Sequence, residues 1–116
     1  MTVNAVLIST VTGVNMGETP LRSGFMLHDA FPNPFNPATK LTYSLSIRSN
    51  VRVIIYDILG REIALLLDRI ELEGVHSVQW NAANVPSGVY FARFEVRDTK
   101  SSLMRWSETR RILLQK

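Results

Sequence analysis

Apolar side chains at every second position are the feature of this sequence that most constrains its fold. The alternation recurs in the segments 41–46, 51–56, 75–80, 89–96 and 103–114. A period of two sends neighbouring side chains to opposite faces of a β-strand, so each segment predicts a strand with one buried face. Turn signals separate the segments at spacings of roughly 8–12 residues, which is typical of an antiparallel sandwich. We therefore predict an all-β fold, an antiparallel β-sandwich of about seven strands.

The tightest predicted turn follows the second of these segments. Asp57 and Gly60 occupy the first and fourth positions preferred in a type I turn, and glycine accepts a positive φ. The apolar run Ile63–Leu67 then predicts the return strand of a hairpin. An α-helix over Arg61–Leu72 is the competing interpretation, because part of that segment also fits a period of 3.6. We favour the strand because the turn requires a partner strand.

A proline-rich segment, residues 31–37, precedes the first long strand. Its three prolines exclude a helix, remove three backbone donors and push the preceding residues into extended conformations. The side chains of Asn33 and Asn36 are expected to cap turns. We expect Phe31 and Phe35 to pack into the core, which would make the segment a rigid connector.

The boundary of the domain is predicted near residue 25. The segment Thr12–Gly24 is rich in glycine and polar residues, a composition typical of linkers. The apolar stretch Val3–Val11 lacks a basic start and is interrupted by polar residues, so it does not fit a secretory signal peptide. We assign residues 1–24 to a strand or linker from a preceding region and residues 25–116 to one domain of a longer protein. No apolar run is long enough to span a bilayer.

Residues suited to catalysis or metal binding are sparse. The chain has no cysteine, which excludes disulfides, thiolate metal sites and cysteine nucleophiles. His28 and His76 have no predicted nucleophile partner and do not provide the ligand set of a zinc site. The acidic group Asp68, Glu71 and Glu73 lacks the alternating ligands of a calcium loop. We therefore predict a non-catalytic domain without metal or cofactor.

Charge and aromatic residues leave two binding interpretations open. The net charge of +3 is too small to indicate nucleic acid, but seven of the thirteen basic residues lie in the last 24 positions. These form either an ordinary solvated strand face or an electropositive tail that docks on an acidic partner or an anionic surface glycolipid. Tryptophans and tyrosines on a β-sandwich can also stack on sugars, although strand parity points most of them inward. The aromatic residues concerned are Trp80, Trp106, Tyr43, Tyr56 and Tyr90.

Four blocks of sequence follow one another along the chain. They are Leu27–Leu45 with Phe31-Pro32-Asn33-Pro34-Phe35-Asn36-Pro37 at its centre, Val51–Gly60 ending in Tyr56-Asp57-Ile58-Leu59-Gly60, Trp80 with Pro86-Ser87-Gly88-Val89-Tyr90-Phe91-Ala92-Arg93-Phe94, and Arg110-Arg111-Ile112-Leu113-Leu114-Gln115-Lys116. In this order, the blocks resemble the type IX secretion system C-terminal sorting domain, of the type A or Por secretion tail family. The resemblance covers residues 25–116, and it departs from the family at His28-Asp29-Ala30, where a Gln-Asn-aromatic start is usual.

The resemblance implies an immunoglobulin-like sandwich at the C-terminus of a cargo protein. The outer-membrane type IX machinery, including a shuttle protein and a sortase-like peptidase, would recognise it and export the cargo to the cell surface. Cleavage would fall in Thr12–Gly24, because a protease needs exposed, extended backbone. The implied recognition residues are Arg110, Arg111, Ile112, Leu113, Leu114 and Lys116.

Two further hypotheses concern how such a domain would act. We expect Leu103–Gln115 to be an edge strand that pairs with a strand of a receptor by β-augmentation. The alternatives to a sorting role are a carbohydrate-binding module of a secreted hydrolase, which would depend on Trp80 or Trp106, and an accessory structural module that caps or spaces a larger enzyme.

Overall fold

The computed structural model describes residues 24–116 and confirms the predicted all-β sandwich. Within this range the chain forms seven strands and no helix. The predictions for Val3–Val11 and for the linker before Gly24 lie outside the described residues. The strands are β1 Phe25–Leu27, β2 Ala38–Leu45, β3 Ser49–Tyr56, β4 Glu62–Glu71, β5 Gly74–Asn81, β6 Gly88–Arg97 and β7 Met104–Leu114.

The strands form two antiparallel sheets. One sheet has the order β1-β2-β5, and the other has the order β4-β3-β6-β7. The chain passes from the four-stranded to the three-stranded sheet between Glu71 and Gly74, since β4 pairs with β3 while β5 pairs with β2. The strand predicted over 63–67 is therefore confirmed against the competing helix.

The core lies between the two sheets and consists of the inward side chains that the alternation predicted. Full burial of one such side chain contributes about 1.5–3 kcal/mol, so these layers supply most of the favourable energy of folding. The buried set includes Leu41, Tyr43 and Leu45 of β2, Val51, Val53 and Ile55 of β3, and Ala92, Phe94 and Val96 of β6.

The proline-rich segment packs differently from the prediction for one of its two phenylalanines. Phe35 is buried, but Phe31 is 76% exposed, so the expectation that both enter the core was wrong. The reason is a backbone bridge in which Phe31 and Lys40 each donate an N–H to the carbonyl of the other, over 3.1 and 2.9 Å. Directly opposed residues project to the same face, and Lys40 faces solvent.

The turn between β6 and β7 closes the end of the sandwich that we call the far end, formed by residues 46–48, 72–74 and 98–103. The carboxylate of Asp98 accepts the backbone N–H groups of Lys100 and Ser101 over 3.1 and 2.8 Å. The guanidinium of Arg105 donates to the same carboxylate over 2.6 Å. These bonds, the one from the Ser101 N–H first, hold the pKa of Asp98 well below its usual range.

Candidate functional site

The four sequence blocks converge at the end of the sandwich opposite the far end. Antiparallel pairing sets Tyr56 opposite Phe91 and Gly88 opposite Leu114, so the turn after β3, the start of β6 and the end of β7 lie together. The proline-rich segment joins them through a bridge between Phe35 and Leu114. We call this region the motif end, formed by residues 31–37, 57–61, 82–90 and 110–116.

An aromatic cluster lies beneath the motif end and links the first and third blocks. The rings of Phe35, from the first block, and Trp80, from the third, are 5.6 Å apart between centroids, and those of Trp80 and Tyr90, both from the third block, are 5.3 Å apart in an edge-to-face arrangement. Trp80 is only 5% exposed, as strand parity predicted. Edge-to-face pairs add about 0.5–1.5 kcal/mol beyond the area they bury. The cluster therefore holds distant parts of the chain in one fixed arrangement.

Tyr90 also ties the start of β6 to the loop before it. Its hydroxyl donates to the carbonyl of Pro86, four residues earlier, over 2.6 Å. A tyrosine bonded back in this way at the start of the sixth strand is the tyrosine corner of immunoglobulin-like sandwiches. Burial first, and then the negative charge of Asp57, raise the pKa of the Tyr90 hydroxyl.

The turn after β3 spans Asp57 to Gly60, as predicted. The Gly60 N–H donates to the carbonyl of Asp57 over 3.0 Å, and Gly60 has a φ of 82°, which favours glycine. The Asp57 carboxylate accepts from the N–H groups of Leu59 and Arg61. The backbone bond from Arg61 is the main cause that lowers the pKa of Asp57. The turn therefore holds the apolar side chains of Ile58 and Leu59 in solvent.

A groove of about 350 Å³ separates this turn from residues 85–90. The side chains of Ile58 and Leu59 are 70% and 72% exposed and line it together with Val85 and Pro86. Exposed apolar side chains around a groove are typical of a surface that contacts another molecule.

The six predicted recognition residues do not share one orientation. Ile112 and Leu114 are each 1% exposed and belong to the core, whereas Leu113 is 37% exposed and Arg111 faces solvent. Arg110 turns inward along the strand, where its Nη2 donates to the carbonyl of Leu27 over 2.7 Å and so ties β7 to β1. Strand alternation therefore divides the set into structural and accessible side chains.

Residue 116 is held against the loop before β6. Its backbone N–H donates to the hydroxyl of Ser87 over 3.0 Å, and Nζ of Lys116 donates to the carbonyl of Ala83 over 2.8 Å. Lys116 is thus exposed but already bonded, unlike Arg111, whose guanidinium has no hydrogen bond or ion pair with any residue in the range 24–116.

The strand β7 is an edge of the four-stranded sheet, as predicted, but its last part is not open. The Phe35 N–H donates to the carbonyl of Leu113 over 2.9 Å, and the Gln115 N–H donates to the carbonyl of Phe35 over 3.0 Å. Asn33 continues this cover, with Oδ1 accepting the Leu113 N–H over 3.0 Å and Nδ2 donating to the carbonyl of Arg111 over 3.3 Å. The expectation that the whole of Leu103–Gln115 can accept a receptor strand was therefore wrong.

Sequence reasoning missed three contacts that shape this end. It expected the Asn33 side chain to cap a local turn, but that side chain binds a strand 80 residues away. It also missed the bond from Tyr90 to Pro86 and the bond from Arg110 to Leu27. Only the tyrosine near the start of a strand offered a signal, because a tyrosine corner has a characteristic position.

The residues weighed for catalysis make structural contacts. The ring of His76 lies 5.6 Å from that of Tyr43 and its Nε2 is 2.6 Å from the carbonyl oxygen of Leu72, while His28 lies 3.2 Å from the Ser44 hydroxyl. Glu71 accepts from Tyr43 and Arg69. Between residues 24 and 116, no three His, Asp or Glu side chains are grouped to hold a metal ion.

A comparison with protein families finds one match over much of the chain. Residues 29–105 match the model of the secretion system C-terminal sorting domain, called Por_Secre_tail. The match includes the first block from residue 29 onward and the whole of the second and third blocks, and it ends before residues 110–116, so the resemblance of the fourth block stays a prediction. No curated protein matches the chain. In the part that the structure describes, no helix is long and apolar enough to cross a membrane.

The matched range, more than half of the chain, contains strands β2 to β6 of the immunoglobulin-like sandwich and most of the motif end. The chain therefore belongs to the family of secretion system C-terminal sorting domains, the tails that mark a protein for type IX secretion and thus for export across the outer membrane.

Proposed function

We propose that this domain is the non-catalytic sorting signal of a longer exported protein. It directs an N-terminal cargo through the type IX machinery to the cell surface, and the motif end is the part that the machinery recognises. The shuttle protein and the sortase-like peptidase implied by the family are the proposed partners, with cleavage upstream in Thr12–Gly24.

The convergence of the four blocks at one end of the sandwich carries this proposal. Blocks separated by up to about 80 residues meet there, since the Asn33 side chain accepts a hydrogen bond from Leu113. None of the residues that form the far end lies in one of the four blocks. A binding surface assembled from several segments on a rigid scaffold is the usual way in which loops acquire a function.

The side chains suited to chemistry support a non-catalytic role. Asp57 and Asp98 accept the N–H groups of their own turns, and Glu71 and His76 bond within the crossing between the sheets. Each of these groups makes a hydrogen bond that stabilises the fold, and none of them forms a pair of nucleophile and base.

The carbohydrate-binding alternative receives little support from the two tryptophans. Trp80 is enclosed between Phe35 and Tyr90, and the ring of Trp106 is stacked on Phe25 with centroids 5.8 Å apart. A platform for a sugar ring requires an open aromatic face, and neither ring offers a fully open one. We therefore favour recognition by a protein partner.

Export of a reporter tests the proposed function. The reporter carries a cleavable signal peptide and, at its C-terminus, the whole 116-residue chain. In a host with a type IX system we expect the reporter outside the cell, and in the same host without the outer-membrane machinery we expect it in the periplasm. Removal of residues 110–116 is also expected to leave it in the periplasm. Equal export with and without the machinery would refute the proposal.

A further inference from the structure

The residues of β7 that remain accessible at the motif end lie on a single surface. Alternation sends Ile112 and Leu114 inward, and sends Arg111 and Leu113 to the outer face of the four-stranded sheet, away from the core. Whatever binds this part of the chain from the solvent side therefore meets Arg111 and Leu113 first.

The backbone of the same residues is closed to strand addition. The outward carbonyl of Arg111 and the outward N–H and carbonyl of Leu113 already bond to Asn33 and Phe35. β-augmentation requires free N–H and C=O groups along an edge. Since alternate residues of an edge strand turn these groups outward, the remaining free part of this edge is centred on Ser107 and Thr109. No residue between 24 and 116 pairs with it.

Arg111 and Leu113 lie at one edge of an apolar surface that extends across the sheet. Leu113 lies opposite Val89, and Arg111 lies opposite Phe91, which in turn lies opposite Tyr56 of β3. Opposed residues project to one face, so these side chains form a continuous row, which we call the outer strip: Tyr56, Val89, Phe91, Arg111 and Leu113. Val89, Phe91 and Tyr56 are half-buried, so part of each is available to a partner.

Charge distinguishes the outer strip from the rest of this sheet face. Toward the far end, Glu95 lies in the centre of Arg52, Arg93 and Arg97, with its Oε2 2.9 Å from Nε of Arg93. The carboxylate of Glu95 therefore neutralises part of the positive charge of these three arginines. Arg111 has no such partner among the described residues, so it offers an unpaired guanidinium beside apolar side chains.

We propose that the outer strip is the docking surface of the sorting domain, and that its partner is a protein surface with apolar side chains next to a carboxylate. The guanidinium of Arg111 would form a paired hydrogen bond with that carboxylate while Leu113, Val89 and Phe91 bury apolar area. The partner engages side chains on the sheet face and does not add a strand to β7, either at the covered residues 111–115 or at the open part around Ser107 and Thr109. This inference rests on the proposed function and specifies the surface through which it acts.

Export of full-chain fusions with single substitutions tests the docking surface. We expect Arg111→Glu and Leu113→Asp each to reduce the exported fraction of the reporter by about tenfold or more, the effect of losing one charge-assisted pair or one apolar contact. Arg111→Ala and Leu113→Ser are milder variants that keep the test valid if a charged replacement perturbs folding. The unfolding midpoint of each purified chain is expected to stay within a few degrees of the parent.

Two substitutions on the open part of β7 serve as controls. Ser107→Glu adds a charge to the same face outside the outer strip, and Thr109→Pro removes an outward N–H that strand addition would need, at a position where an edge strand tolerates proline. Both are expected to leave export unchanged. If Thr109→Pro abolished export while the chain stayed folded, the partner would add a strand and our proposal would be overturned.

The remaining outcomes separate this proposal from the proposed function. Wild-type export of the Arg111 and Leu113 variants, together with loss of export when residues 110–116 are removed, would overturn the docking surface alone. Failure of the parent fusion to be exported would overturn the proposed function. Binding of the purified chain to lipopolysaccharide that is lost in Arg111→Glu, with normal export of that variant, would assign the surface to an anionic glycolipid and contradict the protein partner.

Discussion

The side chain of Asn33 takes the place of a neighbouring strand beside Leu113. Its Oδ1 accepts the Leu113 N–H over 3.0 Å, and its Nδ2 donates to the carbonyl of Arg111 over 3.3 Å. A side-chain amide carries the same donor and acceptor as a peptide group, so it can satisfy both sides of a strand edge. The first block thereby holds the outer edge of the fourth.

Replacing this amide tests the contact directly. We expect Asn33→Ala to destabilise the chain by about 1–2 kcal/mol, because two hydrogen bonds at an exposed edge are lost. Amide hydrogen exchange of Leu113 is expected to accelerate by more than that of Tyr90 in the interior of the sheet. Asn36→Ala is the matched control, since Asn36 is also exposed and its side chain bonds to no described residue. Equal acceleration in both variants would contradict the contact.

The division of residues 110–114 by parity predicts that neighbouring substitutions destabilise the chain to different extents. Ile112 is 1% exposed and Leu113 is 37% exposed. We expect Ile112→Ala to lower the free energy of unfolding by about 2–4 kcal/mol, because it leaves a cavity in the core, and Leu113→Ala to lower it by less than about 1 kcal/mol. Urea denaturation of the full chain measures both. A similar loss for the two variants would mean that this strand has a different orientation.

The tyrosine corner predicts a cost for removing one hydroxyl. We expect Tyr90→Phe to destabilise the chain by about 1–3 kcal/mol, since the carbonyl of Pro86 loses the donor that lies 2.6 Å away. Tyr56→Phe provides the comparison, because the Tyr56 hydroxyl has no hydrogen bond with a described residue and its ring lies on the outer face. Thermal unfolding of the two variants should therefore differ, and equal midpoints would argue against the corner.

The turn at the far end predicts a dependence of stability on pH. The pKa of Asp98 is lowered in the folded chain, first by the N–H of Ser101 and then by Arg105, so the unfolded chain binds the proton more readily. The stabilisation by Asp98 is therefore complete above the unfolded pKa of about 3.9 and is lost as the pH falls below that value toward the folded pKa.

Asp98→Asn measures this contribution. We expect the difference in urea midpoint between the parent chain and the variant to be larger at pH 7 than at pH 3, because protonation removes the same charge that the substitution removes. Other carboxylates lower the stability of both chains at acid pH alike, so the comparison isolates Asp98. A difference that stays constant between the two pH values would rule out this role for the carboxylate.

The sandwich and its core could be predicted because the signals are local. Alternation alone places Tyr43, Trp80 and Phe94 inward, and Asp57 with Gly60 specifies a turn within four residues. Each of these inferences needs only the few residues on either side. The choice of strand over helix for residues 62–71 followed from the same local turn.

The details of the motif end could not be predicted because they depend on distant partners. The exposed position of Phe31 follows from its bridge to Lys40, and the role of Asn33 follows from its contact with Leu113. Arg110 looks like any basic residue in the sequence, yet it binds the carbonyl of Leu27, 83 positions earlier. Such pairings are set by how the sheets close on each other, which side-chain alternation does not encode.

Two pairs of exposed apolar residues allow the two ends of the sandwich to be compared. Ile58 and Leu59 at the motif end are 70% and 72% exposed, and Leu72 and Val75 beside the crossing at the far end are 67% and 70% exposed. Replacing both residues of either pair by aspartate adds two negative charges to the surface, and it leaves the core unchanged because all four side chains are exposed.

Export of the reporter fused to these two full-chain double variants is the most direct test of the claim that the motif end is the recognised part. We predict that Ile58→Asp with Leu59→Asp lowers the exported fraction by about tenfold or more, the scale of about 1.4 kcal/mol in binding. Leu72→Asp with Val75→Asp should be exported like the parent. Equal export of the two variants, or a greater loss for the far-end pair, would contradict the account.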